Sequence, residues 1–314
     1  MTRLAAVSVD LDEIGCYRAI HGLPVRPDVA AHAVYDVALS RIAAFADELE
    51  IPLTVFAIGR DLGRERSAEG LRALARRAGV EVENHSFSHR YDLSLLSRPE
   101  IASDVRRGAD VIASAVDRRP VGFRAPGYMV SDALFDALED EAVAFDASVF
   151  PSPVYQTAKL GVMAYQHLAG RSSASVVGDA VGMIRAPADP YRPGRPWPRR
   201  GTRPIVELPI AVTRGPRLPL IGTSAALAGE RGARWLARAC AGRPLVSFEL
   251  HAIDFLDEGD DLHGLAPYQR DLRIPVEDKR RRLAAVVTTL EAHGYRFTTL
   301  ARAARDLELP SSEG

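Results

Sequence analysis

The stretch LAAVSVDLD, residues 4–12, decides how the chain reads. Leu4 to Val9 is a short apolar run with β-branched residues, and it leads into two aspartates. A two-residue side-chain period puts Ser8, Asp10 and Asp12 on one face. Val7, Val9 and Leu11 take the other, toward outer helices. An α/β barrel places its functional groups at the C-terminal ends of its strands, which is where these carboxylates fall. Two carboxylates this close repel, so something positive must lie near if both are ionised. A bound cation satisfies that; a solvated acidic turn or a helix N-cap is the competing reading.

Working outward, LTVFAIG (53–59) has a buried-strand pattern. Residues 32–49 carry apolar side chains at three- and four-residue steps, a helical period. Residues 67–78 form a helix that Gly79 stops. Residues 97–116 form another, with Ser97 as cap, Pro99 in the first turn and Glu100 three residues after the cap. GFRAPG (122–127) reads as strand then turn, 131–141 as helix, LVSFELHAIDF (245–255) as strand running into loop, 276–293 as helix and 295–300 as strand. Strands alternating with helices predict a parallel sheet with helices outside. Residues 150–220 break the rhythm with a dense share of the 21 prolines and a basic run, YRPGRPWPRRGTR. A long, weakly structured excursion of this kind predicts a functional loop or lid. We therefore expect one domain over 1–314 with an insertion at about 150–204, and no internal repeat.

The chain has 314 residues, of which 47% are hydrophobic and 26% charged. That mix excludes wholesale disorder. A net charge of −1 removes a global electrostatic case for nucleic-acid binding. Thirty-eight arginines against two lysines, Lys159 and Lys279, read as genome composition. The N-terminal apolar run is broken by Asp10 and Asp12, so no signal peptide or membrane anchor is expected, and the expected location is cytoplasmic. Cys16 and Cys240 are expected to be small buried residues, not a disulfide framework.

HSFSH (85–89) is the strongest local signal. Histidines four apart on a helix or tight turn can share a metal ion. The zincin pattern has a glutamate directly after the first histidine; Ser86 stands there, so a third ligand and a base must come from elsewhere. Arg124 in GFRAPGY sits at a strand end and can pair with one of the aspartates. His251 in ELHAID ends another strand, with Ser247, Glu249 and His251 on one face. Glu249 therefore points inward, either supporting the site or forming a buried salt bridge. His21, His32, His167, His263 and His293 have no motif partners. The arginines of 192–203 form a solvated loop or meet a phosphate or anionic membrane surface.

Taken in order, these motifs resemble the polysaccharide deacetylase family, also called the NodB-homology or carbohydrate esterase family 4 group, over about residues 4–150 and 204–305. SVDLD stands for the usual T-F-D-D, with Leu11 between the aspartates, a spacing similar to the branch acting on small or unusual substrates. HSFSH matches H-[ST]-x-x-H in full. RAPGY stands where many relatives have R-P-P-Y-G. FDASVF carries Asp146 without the D-x-x-D-W form, and ELH carries Leu250 and His251 of L-x-H. The resemblance implies a distorted (β/α)7–8 barrel of the NodB type with a long Pro-rich insertion. It implies that Asp12, His85 and His89 hold a divalent metal ion, zinc first, with cobalt, nickel or another divalent ion as alternatives. Asp10 would be the general base, positioned by Arg124. His251 would be the general acid, and Asp146 would orient it. A backbone N–H near Gly127 or Tyr128 would stabilise the oxyanion. The activity implied is hydrolysis of an amide C–N bond, first the N-deacetylation of an amino sugar or sugar conjugate, phosphorylated or lipid-linked forms included. A deformylase of a lipid-linked sugar or a cyclic-imide hydrolase would use the same centre. A binding module without catalysis is the reading from another class, and a mere binder does not need Asp10, Arg124 and His251 as a set.

Overall fold

β1 (Arg3–Asp10) alternates as its composition requires. Ala5, Val7, Val9 and Leu11 enter the large outer core, while Leu4 and Ala6 join a separate cluster with Phe56, Phe145 and Leu245. In the computed structural model, which describes residues 3–25, 29–168, 173–176, 178–307 and 309, this strand is the hub of a parallel sheet. Its partners are β2 (Leu53–Ala57) on one side and β7 (Leu245–His251) on the other, with β8 (Tyr295–Phe297) beside its first residues. From β2 the sheet continues through β3 (Val80–Asn84), β4 (Gly122–Phe123) and β5 (Phe145–Asp146) to β6 (Val206–Glu207). The wall then closes without a further regular strand. The chain leaves β5 at Leu208, whose N–H meets the Asp146 carbonyl, and reaches β7 at Ala211, whose N–H meets the Ser247 carbonyl. The parallel sheet expected from the alternating pattern, and the distorted barrel that the resemblance implied, are the observed fold.

Helices cover the outside: α1 (Ile14–Ile20), α2 (Leu39–Glu48), α3 (Glu65–Ala75), α4 (Arg98–Val116) and α5 (Asp132–Asp140), then α6 (Pro153–Leu168), α7 (Ala180–Arg185), α8 (Gly222–Cys240) and α9 (Val276–Ala292). α4 starts where its cap predicts: the Glu100 carboxylate accepts both the N–H and the hydroxyl of Ser97. The last helix, α10 (Leu300–Asp306), closes the N-terminal mouth of the barrel. Its Leu300 and Ala303 join the inner cluster, and its first N–H groups are held by Thr54 Oγ1 at 2.9 Å and Glu81 Oε1 at 2.8 Å. The C-terminal mouth, where Asp10 and His251 end their strands, is left open.

The Pro-rich excursion is more regular than its composition predicts. Pro153 occupies the first position of α6, where proline lacks nothing a helix needs, and α7 follows. Residues 169–172 and 177 of this stretch lie outside the described residues. The basic run is held against α5. The Arg203 guanidinium meets Asp136 and Glu139 at 2.6 Å and Asp132 at 3.1 Å, and Arg195 meets Asp136 at 2.7 Å. Trp197 is buried in a core shared with Phe123, Leu134 and Phe135. Two of the arginines expected in a solvated loop, or at a phosphate or membrane surface, pair with α5 carboxylates. α8, which the sequence reading passed over, is interrupted at Gly229, where φ is +70°. Among the described residues, no helix is long and apolar enough to cross a membrane.

Candidate metal centre and catalytic pocket

β1 delivers Asp10 at its last position and Asp12 two residues beyond. β3 runs into the HSFSH turn, which is a tight turn and not a helix. Ser86 (φ +67°) and His89 (φ +50°) adopt left-handed conformations, and Ser86 Oγ accepts the His89 N–H at 2.9 Å. Asp104 of α4 takes the Phe87 and Ser88 N–H groups at 2.8 and 3.3 Å. Backbone conformations of this cost persist where the surroundings over-determine them. The result is that Asp12 Oδ1 lies 3.2 Å from Nε2 of both His85 and His89.

All three residues are buried, and Asp12 Oδ1 and both ring nitrogens of His89 have no hydrogen-bond partner. Buried polar atoms are rarely left so. His85 Nδ1 sits 2.7 Å from the Arg124 carbonyl, a bond that puts the ring proton on Nδ1 and turns the Nε2 lone pair toward Asp12. A carboxylate and two imidazole nitrogens converging without a proton between them fit a divalent cation of the zinc type. Without one, burial lowers the His85 pKa but Asp10 and Asp12 more than offset it and raise it, while burial carries His89 down. Burial works to raise Asp12, yet the two histidines hold it well below the usual carboxylate range.

Asp10 faces the same space from the other side. Its Oδ1 accepts Arg124 Nη1 at 2.6 Å, and its Oδ2 is 3.7 Å from His85 Nε2. Arg124 is fully buried and spends its other donors on Ser8 Oγ at 3.0 Å and the Ala147 carbonyl at 2.9 Å, with its guanidinium over the Phe56 ring. The fork geometry of guanidinium suits this three-way hold. The sequence expectation that Arg124 pairs with an aspartate is met at Asp10.

His251 ends β7, hydrogen-bonded through its N–H to Asp254. Its Nδ1 is 2.9 Å from Glu249 Oε1, and its Nε2 is 3.4 Å from the Tyr128 hydroxyl, which donates to the same Glu249 oxygen at 3.0 Å. Burial depresses a histidine, but the Glu249 carboxylate overrides it and holds His251 well above its ordinary value. Glu249 is thus the group that orients His251.

Asp146 is not, which corrects the role that the resemblance implied. Alternation along β5 sends Phe145 and Ala147 into the inner cluster. Asp146 falls on the opposite face with Ser148, whose hydroxyl and N–H it accepts at 2.7 and 3.2 Å. It shares a proton there with Glu207, whose pKa burial and the Asp146 charge push well above the ordinary glutamate value. Glu207 therefore ionises in the unfolded chain before it does in the folded one. Its contribution to stability is whole below about 4.5, its ordinary value, and drains away as pH rises toward the raised folded value. Glu207→Gln keeps the hydrogen bonds and removes the titration. The difference in Tm between variant and parent is expected to move in favour of the variant from pH 5 to pH 8; a pH-independent difference refutes the shared proton.

Of the two N–H groups expected as oxyanion donors, that of Tyr128 is engaged elsewhere. Gly127 and Tyr128 both have positive φ (+63° and +61°), and the turn they make gives the Tyr128 N–H to the Ala125 carbonyl at 3.0 Å. Around the centre, a cavity of about 440 Å³ is lined by Asp10, Asp12, His85 and His251 at its floor. Tyr17, Tyr91 and Tyr155 on its walls escaped the sequence reading, because a lone tyrosine carries no spacing signal. α6 supplies Val154, Tyr155 and Ala158, so among the described residues of the insertion the first turns of this helix face the pocket.

Residues 34–144 match the polysaccharide deacetylase family model. That region contains His85, His89 and Arg124, and leaves Asp10, Asp12 and His251 outside. No curated protein matches. Among solved structures, a Mycobacterium smegmatis protein named as a polysaccharide deacetylase aligns over 100% of this chain and 95% of its own, with TM-score 0.59 and 16% identity. A Clostridium thermocellum family 4 acetyl xylan esterase, solved with a cobalt ion, aligns over 98% and 93% with TM-score 0.50 and 15% identity. A Bacillus anthracis family 4 pseudoenzyme aligns over 96% and 66% with TM-score 0.51 and 12% identity. At these identities the structural likenesses speak for the fold. The matched region carries the histidine pair and the buried arginine of the centre, so this stretch of the chain is similar to a polysaccharide deacetylase domain, and the solved structures share the fold of the whole chain.

Proposed function

We propose that this chain is a metal-dependent hydrolase of amide C–N bonds, acting on an N-acylated amine, with N-deacetylation of an amino sugar or sugar conjugate as the first reading. One observation carries it: Asp12, His85 and His89 converge on a common point with buried unpartnered atoms, beside an Asp10 that Arg124 holds at 2.6 Å. A divalent ion bound by those three residues would polarise the acyl carbonyl and make a water easier to deprotonate. Asp10, held in place by the buried guanidinium, accepts a proton from the attacking water. His251, kept protonated by Glu249, gives one to the departing nitrogen, without which the C–N bond breaks slowly. Arg124 and Glu249 do not touch the substrate in this scheme; Arg124 positions Asp10, and Glu249 orients His251 and keeps it protonated. The family description and the cobalt in the esterase neighbour support this reading. The pseudoenzyme neighbour raises the alternative of a centre that binds without reacting, and the complete Asp10, Arg124, Glu249, His251 set speaks against it.

Removal of metal by a strong chelator should abolish amide hydrolysis, and Zn²⁺ or Co²⁺ should restore it. Calorimetry should find one ion per chain, lost in His89→Ala. Full activity in protein verified as metal-free by elemental analysis would end this reading.

A further inference from the structure

We propose that the pocket takes one compact N-acyl amide whose amine side is apolar, held wholly within the cavity, and not an extended glycan chain. This rests on the amide-hydrolase reading above and, within it, puts a compact apolar amide in place of the amino sugar as the substrate class.

The cavity's volume, about 440 Å³, lies toward the lower end of small-molecule sites and has room for a single small molecule. Its polar groups are concentrated at the floor. Above it the walls are Ile20, Tyr155, Pro219, Ile221, Leu227 and Ile253, contributed by α1, α6, α8 and the segments that precede α8 and follow β7. Two of the polar side chains there, Ser224 and Gln269, are already engaged, which leaves the Thr223 and Tyr155 hydroxyls as the few polar groups above the floor. The Ser224 hydroxyl donates to the Pro219 and Ile221 carbonyls at 2.9 Å, and Gln269 donates to Asp271 at 2.6 Å while its oxygen faces His21 at 3.4 Å. The Tyr17 and Tyr91 hydroxyls have no partner, but they are buried beside Asp12 at the floor, where an acyl group would sit.

A sugar ring brings a hydroxyl on most of its carbons, and most of those desolvated against these walls would go unpaired. A glycan chain also needs a trench with flat aromatic platforms. The two tryptophans do not provide one: Trp197 is buried in the core with Phe135, and Trp235 is not among the lining residues. The rim points the same way. Val154 and Leu227 are 48% and 54% exposed, large apolar side chains set at the entrance where a hydrophobic amine substituent would meet them. Both can be changed without disturbing the core.

The test uses the full chain loaded with zinc and two probes, 4-nitroacetanilide and the N-acetylglucosamine pentamer. kcat/KM is expected to favour the anilide by tenfold or more. Val154→Asp and Leu227→Asp should each raise KM for the anilide by about tenfold with kcat little changed, the signature of lost binding common to ground and transition states. Preference for the pentamer, or rim variants with unaltered KM, overturns the proposal. If neither probe is cleaved although zinc binds, the hydrolase reading falls, and calorimetry decides the pocket alone. Anilide binding that weakens in Leu227→Asp supports it. Binding of the pentamer only, or of neither, overturns it.

Discussion

Asp10→Asn is expected to lower kcat by roughly 10²–10⁴ while the chain still binds one metal ion, the scale of losing a general base. The substitution keeps the size of the side chain and its acceptor toward Arg124, whose Nη1 lies 2.6 Å from Oδ1. It removes the basicity. Asp12→Asn should behave in the opposite order. Asp12 Oδ1 is the oxygen 3.2 Å from both histidines, so a neutral amide there weakens the metal first, and part of the activity returns at high added metal. Leu11 between the aspartates makes the assignment a matter of geometry and not of motif. In the structure Asp10 belongs to the arginine and Asp12 to the histidines. Metal titration of each variant, then rates at saturating metal, separates the two. An Asp10→Asn protein that no longer binds metal, beside an inert Asp12→Asn that does, would reverse the roles.

Arg124→Met is expected to cost about 3–5 kcal/mol of folding stability, because it leaves the Asp10 charge buried without its partner. Nothing else replaces the hold: Ser8 and the Ala147 carbonyl also lose their donor, and the ring of Phe56 loses the cation above it. Adding Asp10→Asn to Arg124→Met should recover a large part of the loss, since the double variant has no unpaired charge. Arg124→Lys should recover less, because a point charge cannot serve three acceptors in different directions. Urea unfolding at pH 7 measures all four proteins. A single Arg124→Met variant within about 1 kcal/mol of the parent would mean that water reaches Asp10 and the pair is not dry.

The sequence was most legible where strands are long and have distinct faces. β1 and β7 run eight and seven residues, so period two alone put Ser8 with Asp10, and Ser247 with Glu249 and His251. β5 has two residues. Over so short a strand nothing in the pattern says which face Asp146 takes, and a one-residue difference decides it. Asp146 was therefore placed beside His251 by the resemblance alone, while Glu249, visible on the right face from the start, holds that place. The insertion failed for a different reason. Proline density predicts a lack of structure, but Pro153 opens a helix, and the later prolines lie in a segment fixed by Arg203 and Trp197. α8 was hidden by Gly229, which breaks its periodicity at the point where it breaks the helix. The HSFSH pair was legible as spacing; the left-handed residues that aim it were not.

The hub position of β1 bears on the order in which the molecule can be completed during synthesis. The residues expected to hold the metal lie within the first 89, and β1 through β3 can pair as soon as they leave the ribosome. The other edge of β1 waits for β7, and the floor of the barrel waits for Leu300 and Ala303. Until then Ser8, Asp10 and Thr54 face water, and Thr54 and Glu81 lack the N–H groups they later accept. A nascent chain of this kind carries a half-built centre with an open edge strand, the state in which a β-structure is most exposed to wrong partners. Its dry interior is the last thing made, so the competence to do chemistry arrives in a single late event and not by degrees.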